Sequence, residues 1–183
     1  LYNIPCILRA FGLIQRRYPD ARLIVAGDGT ERANLENLVA TLGLQGVEFV
    51  GRVEYDEMPA LYDRADIYLN APNLDNMPSS ILESYAAGMP VVTTDAGGIP
   101  FILWHEETGL LVGLDDHVGM AMNAMRLLED QSLANRLVKR AHQECIKYAA
   151  ATERRSWIEL YKRLVNQELR TEGAQAALTA AER

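Results

Sequence analysis

Residues 66–94 read DIYLNAPNLDNMPSSILESYAAGMPVVTT. A short apolar run, residues 66–70, is followed by a loop of Pro, Asn and Asp. The segment from Ser80 to Ala87 has helical character and stops at Gly88. Residues 90–94 (PVVTT) form a second apolar run. Two apolar strands joined by one helix make a βα unit, whose strands lie parallel and are covered on both faces.

The same alternation extends in both directions. Upstream, residues 22–26 (RLIVA) end at Gly27-Asp28-Gly29, and residues 47–50 (VEFV) end at Gly51; both read as buried strands entering turns. Helices are expected from the spacing of Ile4, Ile7, Leu8, Phe11 and Ile14, and from Leu35, Leu38, Val39 and Leu42 before Gly43. Met58, Leu61 and Tyr62 suggest a short helix. Downstream come a Gly97-Gly98 turn, a helical turn over residues 99–104, and a last strand over 109–112 (GLLV). From Asp115 onward only helices are expected. Their apolar stripes are Val118, Met122, Met125 and Leu128; then Leu133, Leu137, Ala141, Cys145 and Tyr148; then Trp157, Leu160, Tyr161, Leu164 and Val165, with Trp157 and Tyr161 read as core.

The fold class is therefore α/β, a doubly wound parallel sheet with C-terminal helices. One domain is expected over residues 1–170, followed by an Ala-rich, frayed tail over 171–183. A chain of 183 residues is long enough for a real core, and 49% apolar residues argue against disorder. The net charge of −7 argues against a nucleic-acid partner, which requires a clustered basic surface. Cys6 and Cys145 fit no metal spacing and read as buried thiols in a reducing, cytoplasmic setting. No apolar run reaches the roughly 20 residues of a membrane span, so membrane association is expected only through a part not in this sequence. The start, without Met or a basic leader, suggests a piece of a longer protein.

In doubly wound sheets ligands bind beyond the carboxyl ends of the strands, which singles out the loops after each strand. The helix expected near Pro78 would offer free N–H groups at Ser79, Ser80 and Ile81, a site suited to a diphosphate. Glu83 has two readings. It completes a capping box with Ser80, or it accepts hydrogen bonds from ribose hydroxyls; spacing alone favours the cap. Asp75 is either an Asx-turn residue or an acceptor for sugar hydroxyls. Gly27, Asp28 and Gly29 suit a turn or a close ligand approach, and Gly97-Gly98 a second one. Thr93 and Thr94 could meet a phosphate or cap the ladder. The three histidines do not cluster, and Glu106-Glu107 and Asp115-Asp116 read as solvated turns or helix starts.

Taken together, RLIVAGDG, VEFVGRV, DNMPSSILESYAAGMPVVTTDAGGIP and ETGLLV, in that order, resemble the C-terminal donor-binding domain of the GT-B glycosyltransferases of group 1, or family 4, from about Tyr2 to Leu164. The resemblance implies a retaining transferase that uses a nucleotide-diphosphate sugar and no metal or other cofactor. It implies Asp75 and Glu83 as the catalytic acidic pair, Glu83 on the ribose and Asp75 on the sugar. Met77, Pro78, Ser79 and Ser80 would serve the pyrophosphate or sugar; Gly27 and Asp28 would flank the nucleotide; Arg52, Val53 and Met58 would form the base pocket; Gly97 and Gly98 would line the cleft. It also implies a first strand before Leu1 and an N-terminal acceptor domain, without which the chain would transfer nothing. Three positions depart from the pattern: Asp75 replaces Glu, Tyr2 replaces a Lys, and Phe101 replaces a Glu. These departures motivate an alternative, a non-catalytic nucleotide-binding or regulatory module. A different doubly wound nucleotide binder is disfavoured, because neither G-x-G-x-x-G after a strand nor G-x-x-x-x-G-K-[ST] occurs.

Overall fold

A computed structural model describes residues 2–181, with side chains described as far as residue 166. The chain forms two compact units, Leu1–Glu144 and Cys145–Arg183.

In the first unit the order is α1 (Ile4–Arg17), β1 (Leu23–Ala26), α2 (Arg32–Leu42), β2 (Val47–Gly51), α3 (Met58–Tyr62), β3 (Tyr68–Asn70), α4 (Ser79–Ala86), β4 (Val91–Thr94), β5 (Leu110–Val112), α5 (His117–Glu129) and α6 (Gln131–Cys145). A 3-10 turn over Ile99–Phe101 follows β4. Every strand expected from the sequence is present, each within a residue or two of its expected bounds. All pairings are parallel, as short apolar strands joined by helices require: β1 with β2, and β3 with β4 and β5 in the order β3-β4-β5. The sheet is therefore in two pieces, and among the described residues β1 and β3 each keep an edge without a strand partner.

Helix α1 ties the two pieces together because it is apolar on more than one face. Cys6, Ile7, Ala10 and Ile14 pack into the core of α5, α6 and the β3-β4-β5 sheet, while Leu8 and Phe11 pack with Leu44 against α2 and β1. Side chains alternate along the strands. Leu69, Val92 and Leu110, in register with one another, face that main core, and Tyr68, one residue before Leu69 and in register with Val91, turns to α4 through its hydroxyl. Helices α5 and α6 are started by acidic caps: Asp116 Oδ1 accepts the Gly119 N–H at 2.8 Å and Asp130 Oδ1 the Leu133 N–H at 2.9 Å. Burial pushes the Cys6 thiol up to about 11; Cys145 is only half-buried, and the two form no disulfide.

Two expected apolar stripes are not the buried ones. On α5 the core face is Met120, Ala121, Ala124 and Leu127, whereas Val118, Met122 and Leu128 are exposed. Alanines mark the true face because α5 lies close to α1, where larger side chains have no room. In the second unit a 3-10 turn (Ile146–Tyr148) leads into α7 (Ala150–Ala181). Trp157 and Tyr161 are exposed, their ring centroids 6.1 Å apart, and are not core; among the described residues this unit holds the 3-10 turn and α7. The backbone of the expected tail is helical to Ala181, and residues 182–183 lie outside the described residues. Among the described residues no helix is long and apolar enough to cross a membrane.

The reassigned face of α5 is testable by urea denaturation. Ala124→Leu should cost about 1–3 kcal/mol by overpacking, and Met122→Ser, on the exposed face, should stay within about 0.5 kcal/mol of the parent.

Candidate functional site

The loop from β3 to α4 and the first turn of α4 carry most of the residues singled out in the sequence. Pro78 occupies the N-cap position with φ −65° and ψ 118°, and no side chain caps the helix. The Ile81 N–H donates to the Pro78 carbonyl at 3.2 Å, so of the three N–H groups expected to be free, those of Ser79 and Ser80 lack a backbone partner. The macrodipole adds to the positive character of this end. The capping box does not form. Ser80 Oγ instead accepts from the Tyr68 hydroxyl at 2.8 Å, and Glu83 Oε2 accepts from the Tyr62 hydroxyl at 3.0 Å. The cap, favoured by spacing, is thereby replaced by contacts with α3 and β3.

Burial, together with the hydrogen bond to Glu83, pushes the Tyr62 phenol well above the ordinary tyrosine value. Tyr68 is pushed up to about 12, mainly by burial and further by the Glu83 and Asp75 carboxylates, against the opposing effect of its bond to Ser80. One phenol thus senses both members of the acidic pair.

Asp75 forms its Asx-turn: Oδ1 accepts the Met77 N–H at 3.1 Å. Its carbonyl accepts the Gly98 N–H at 2.8 Å. A Cβ on Gly97 would stand 2.3 Å from the Asp75 carbonyl oxygen, and one on Gly98 only 2.0 Å from that of Asn76. The close approach made by these glycines is to the Asp75 loop. Met77 is exposed. The loop is held elsewhere as well. The buried Thr94 hydroxyl donates to the Pro72 carbonyl at 2.6 Å, and Asn3 Nδ2 donates to Asn73 Oδ1 at 3.3 Å and to Asp115 Oδ1 at 3.0 Å. Thr94 thus caps the loop, while Thr93 Oγ1 and its register neighbour Asn70 Nδ2 are buried without a hydrogen-bond partner.

A cleft of about 1780 Å³ runs between the facing edges of β1 and β3. Gly27, Asp28, Arg52, Val53, Met58 and Ser80 all lie on its wall, as do Tyr62 and Tyr68. Gly27 has φ 118°, with nothing within 4 Å of where a Cβ would stand, so its glycine is required by the backbone and leaves the cleft side open. Asp28 Oδ1 accepts the Gly29 N–H at 2.8 Å. Arg52 is exposed and pairs with Glu54 at 3.4 Å. Tyr2 lines the cleft at the position where the resemblance called for a Lys, and Phe101 is 80% exposed. Among the described residues no group of three or more His, Cys, Asp or Glu is placed to hold a metal. His105 has a structural bond, its Nδ1 accepting the Leu111 N–H. Sequence reading missed Tyr62 and Tyr68 as site residues. Their partners lie 21 and 12 positions away and no local pattern links them.

The buried tyrosine predicts an alkaline limit. The folded pKa of Tyr68 is raised from 10.0 to about 12, so its contribution to stability is intact below pH 10 and is lost as pH rises towards 12. Denaturation across that range should show the loss in the parent and a flatter profile in Tyr68→Phe.

Residues 2–144 match the family model described as glycosyl transferases group 1, nearly the span of the first compact unit. The lipopolysaccharide core biosynthesis glycosyltransferase LpsE of Rhizobium meliloti is 35% identical over 131 residues, which cover 71% of this chain and 38% of that protein. The chain spans about two fifths of the length of such curated relatives. Among solved structures, the C-terminal domain of the group 1 family protein LpcC from Francisella tularensis has a TM-score of 0.71 at 24% identity, over 79% of this chain and 78% of that one. The pneumococcal O-GlcNAc transferase GtfA, solved with UDP and GlcNAc, has a TM-score of 0.77 at 16% identity, over 90% of this chain and 33% of that one. At these identities the structures speak for the fold, an α/β half of the GT-B type. The family match, covering most of the chain and agreeing with the loops described above, makes this chain a member of the group 1 glycosyl transferases.

Proposed function

We propose that this chain is the donor-binding part of a retaining glycosyltransferase that takes its sugar from a nucleoside-diphosphate sugar, needs no metal, and acts in the cytoplasm. The observation that carries the reading is the uncapped start of α4, where the N–H groups of Ser79 and Ser80 have no backbone partner. Transfer breaks the bond between the anomeric carbon and the β-phosphate oxygen, and the electron pair leaves with the nucleoside diphosphate. Fixed N–H donors and a helix dipole at that oxygen stabilise the departing charge without reorganisation. Met77 and Pro78 shape the approach to these donors.

Glu83 accepts from the ribose hydroxyls, and Asp75, with Oδ1 engaged by Met77, offers its second oxygen to the sugar. The open backbone at Gly27 and the adjacent Asp28 flank the nucleotide, and Arg52, Val53 and Met58 hold the base. Gly97 and Gly98 act indirectly, by seating the Asp75 loop. The UDP held by GtfA supports a nucleotide of this class as ligand. Acceptor recognition belongs to a separate N-terminal domain, whose chain would also supply the strand between β1 and β3, so the 183 residues alone transfer nothing.

A second reading, a nucleotide-binding module without activity, is favoured by Tyr2, which brings no charge to the cleft wall, and by Phe101, which is apolar where the resemblance called for an acid. Full-length protein assayed for donor hydrolysis or transfer over a panel of nucleotide sugars separates the two. The enzyme reading expects turnover by the parent and a loss in kcat/KM on the order of a hundredfold in Glu83→Ala. Equal rates in parent and variant would remove Glu83 from the site. Nucleotide binding by an intact protein with no turnover on any donor would favour the module.

A further inference from the structure

We propose that Tyr62 is a positioning residue for Glu83, its hydroxyl holding one carboxylate oxygen so that the other is presented to the vicinal hydroxyls of a nucleotide ribose. The inference rests on the reading of Glu83 given above and adds a residue outside the stretches that carry the family resemblance. Four observations carry it. Tyr62 donates to Glu83 Oε2 at 3.0 Å, across elements 21 residues apart. Among the described residues no further hydrogen bond to the Glu83 carboxylate is present, which leaves Oε1 available. Tyr62 is the last residue of α3 and lies on the cleft wall. The capping role that would otherwise have fixed Glu83 is not used, since Pro78 occupies the cap.

A glutamate in the first turns of a helix has three side-chain torsions to restrict before it can accept two hydroxyls in fixed geometry. A hydrogen bond from a half-buried phenol restricts them in advance, so less ordering is needed when the nucleotide binds. The phenol suits this task. Burial and the neighbouring carboxylate hold it protonated well beyond neutral pH, so it donates throughout the working range. The Tyr68 hydroxyl provides an internal contrast, because it ties α4 through Ser80 without touching Glu83.

The test uses the full-length protein, with UDP or GDP (whichever binds more tightly) and the matching 2′-deoxy and 3′-deoxy nucleotides, titrated calorimetrically against parent, Tyr62→Phe, Tyr68→Phe and Glu83→Gln. The parent should prefer the ribonucleotide, and Glu83→Gln should lose that preference. Tyr62→Phe should weaken ribonucleotide binding by about five- to tenfold, leave deoxynucleotide binding nearly unchanged, and so erode the preference by the same factor. Tyr68→Phe should keep the preference, whatever its effect on overall affinity. If Tyr62→Phe weakens both nucleotides equally, or neither, while Glu83→Gln still removes the preference, the bond only ties α3 to α4 and the inference is wrong. If the parent shows no preference, or Glu83→Gln keeps it, the ribose reading of Glu83 fails and the role of Tyr62 fails with it. Thermal melting of each variant identifies any loss that is merely unfolding.

Discussion

The Gly97-Gly98 backbone rests directly on the peptides of Asp75 and Asn76, with room for hydrogen atoms and nothing larger. The Gly98 N–H closes this contact on the Asp75 carbonyl at 2.8 Å. One loop leaves β3 and the other leaves β4, adjacent parallel strands, so the contact ties together two successive switch-side loops at the carboxyl edge of the sheet. Asp75, the Asx-turn to Met77, the entry through Pro78 and the exposed start of α4 all follow from where that loop is seated. A side chain at either glycine would displace backbone, which cannot yield as a flexible side-chain tip could.

Helix α4 shows what such a site costs. It spans Ser79–Ala86 and carries no N-terminal side-chain cap, and β3 and β4 hold two buried polar groups without a hydrogen-bond partner, Asn70 Nδ2 and Thr93 Oγ1. Each missing cap or buried unpaired group typically costs on the order of 1 kcal/mol. Contacts from outside the helix offset part of this. Tyr62 and Tyr68 hold its first turns, and the Tyr85 hydroxyl, buried at the other end, lies within hydrogen-bond distance of the Ile102 carbonyl and the Thr108 hydroxyl. The helix is anchored from its sides while its N-terminus stays open, which on the proposed reading trades local stability for an anion site.

Much of this was legible in the sequence. The five strands were readable because short apolar runs ending in Gly, Pro or Asp have few alternatives, and α1 because its apolar residues recur on more than one face. Spacing misled where volume decided. On α5 the alanines at 121 and 124 mark the packed face, and hydrophobicity alone pointed to Val118 and Met122 instead. On α7 the apolar stripe is real, but a pattern cannot say whether anything covers it. Within the site, the Asp75 turn and the helix start at Pro78 are local features and were readable. The true partners of Ser80 and Glu83 were not, because they arrive from other elements. The glycine pair was recognised as a close-approach device, but what it approaches is set by tertiary packing.

The central claim is that the open start of α4 receives the diphosphate of a nucleotide donor. A crystal structure of the full-length protein with UDP or GDP bound tests it directly. The account predicts phosphate oxygens about 2.7–3.2 Å from the Ser79 and Ser80 nitrogens, with the ribose beside Glu83. A nucleotide bound with its phosphates away from α4, and Glu83 still held by Tyr62 with no ribose contact, would contradict it.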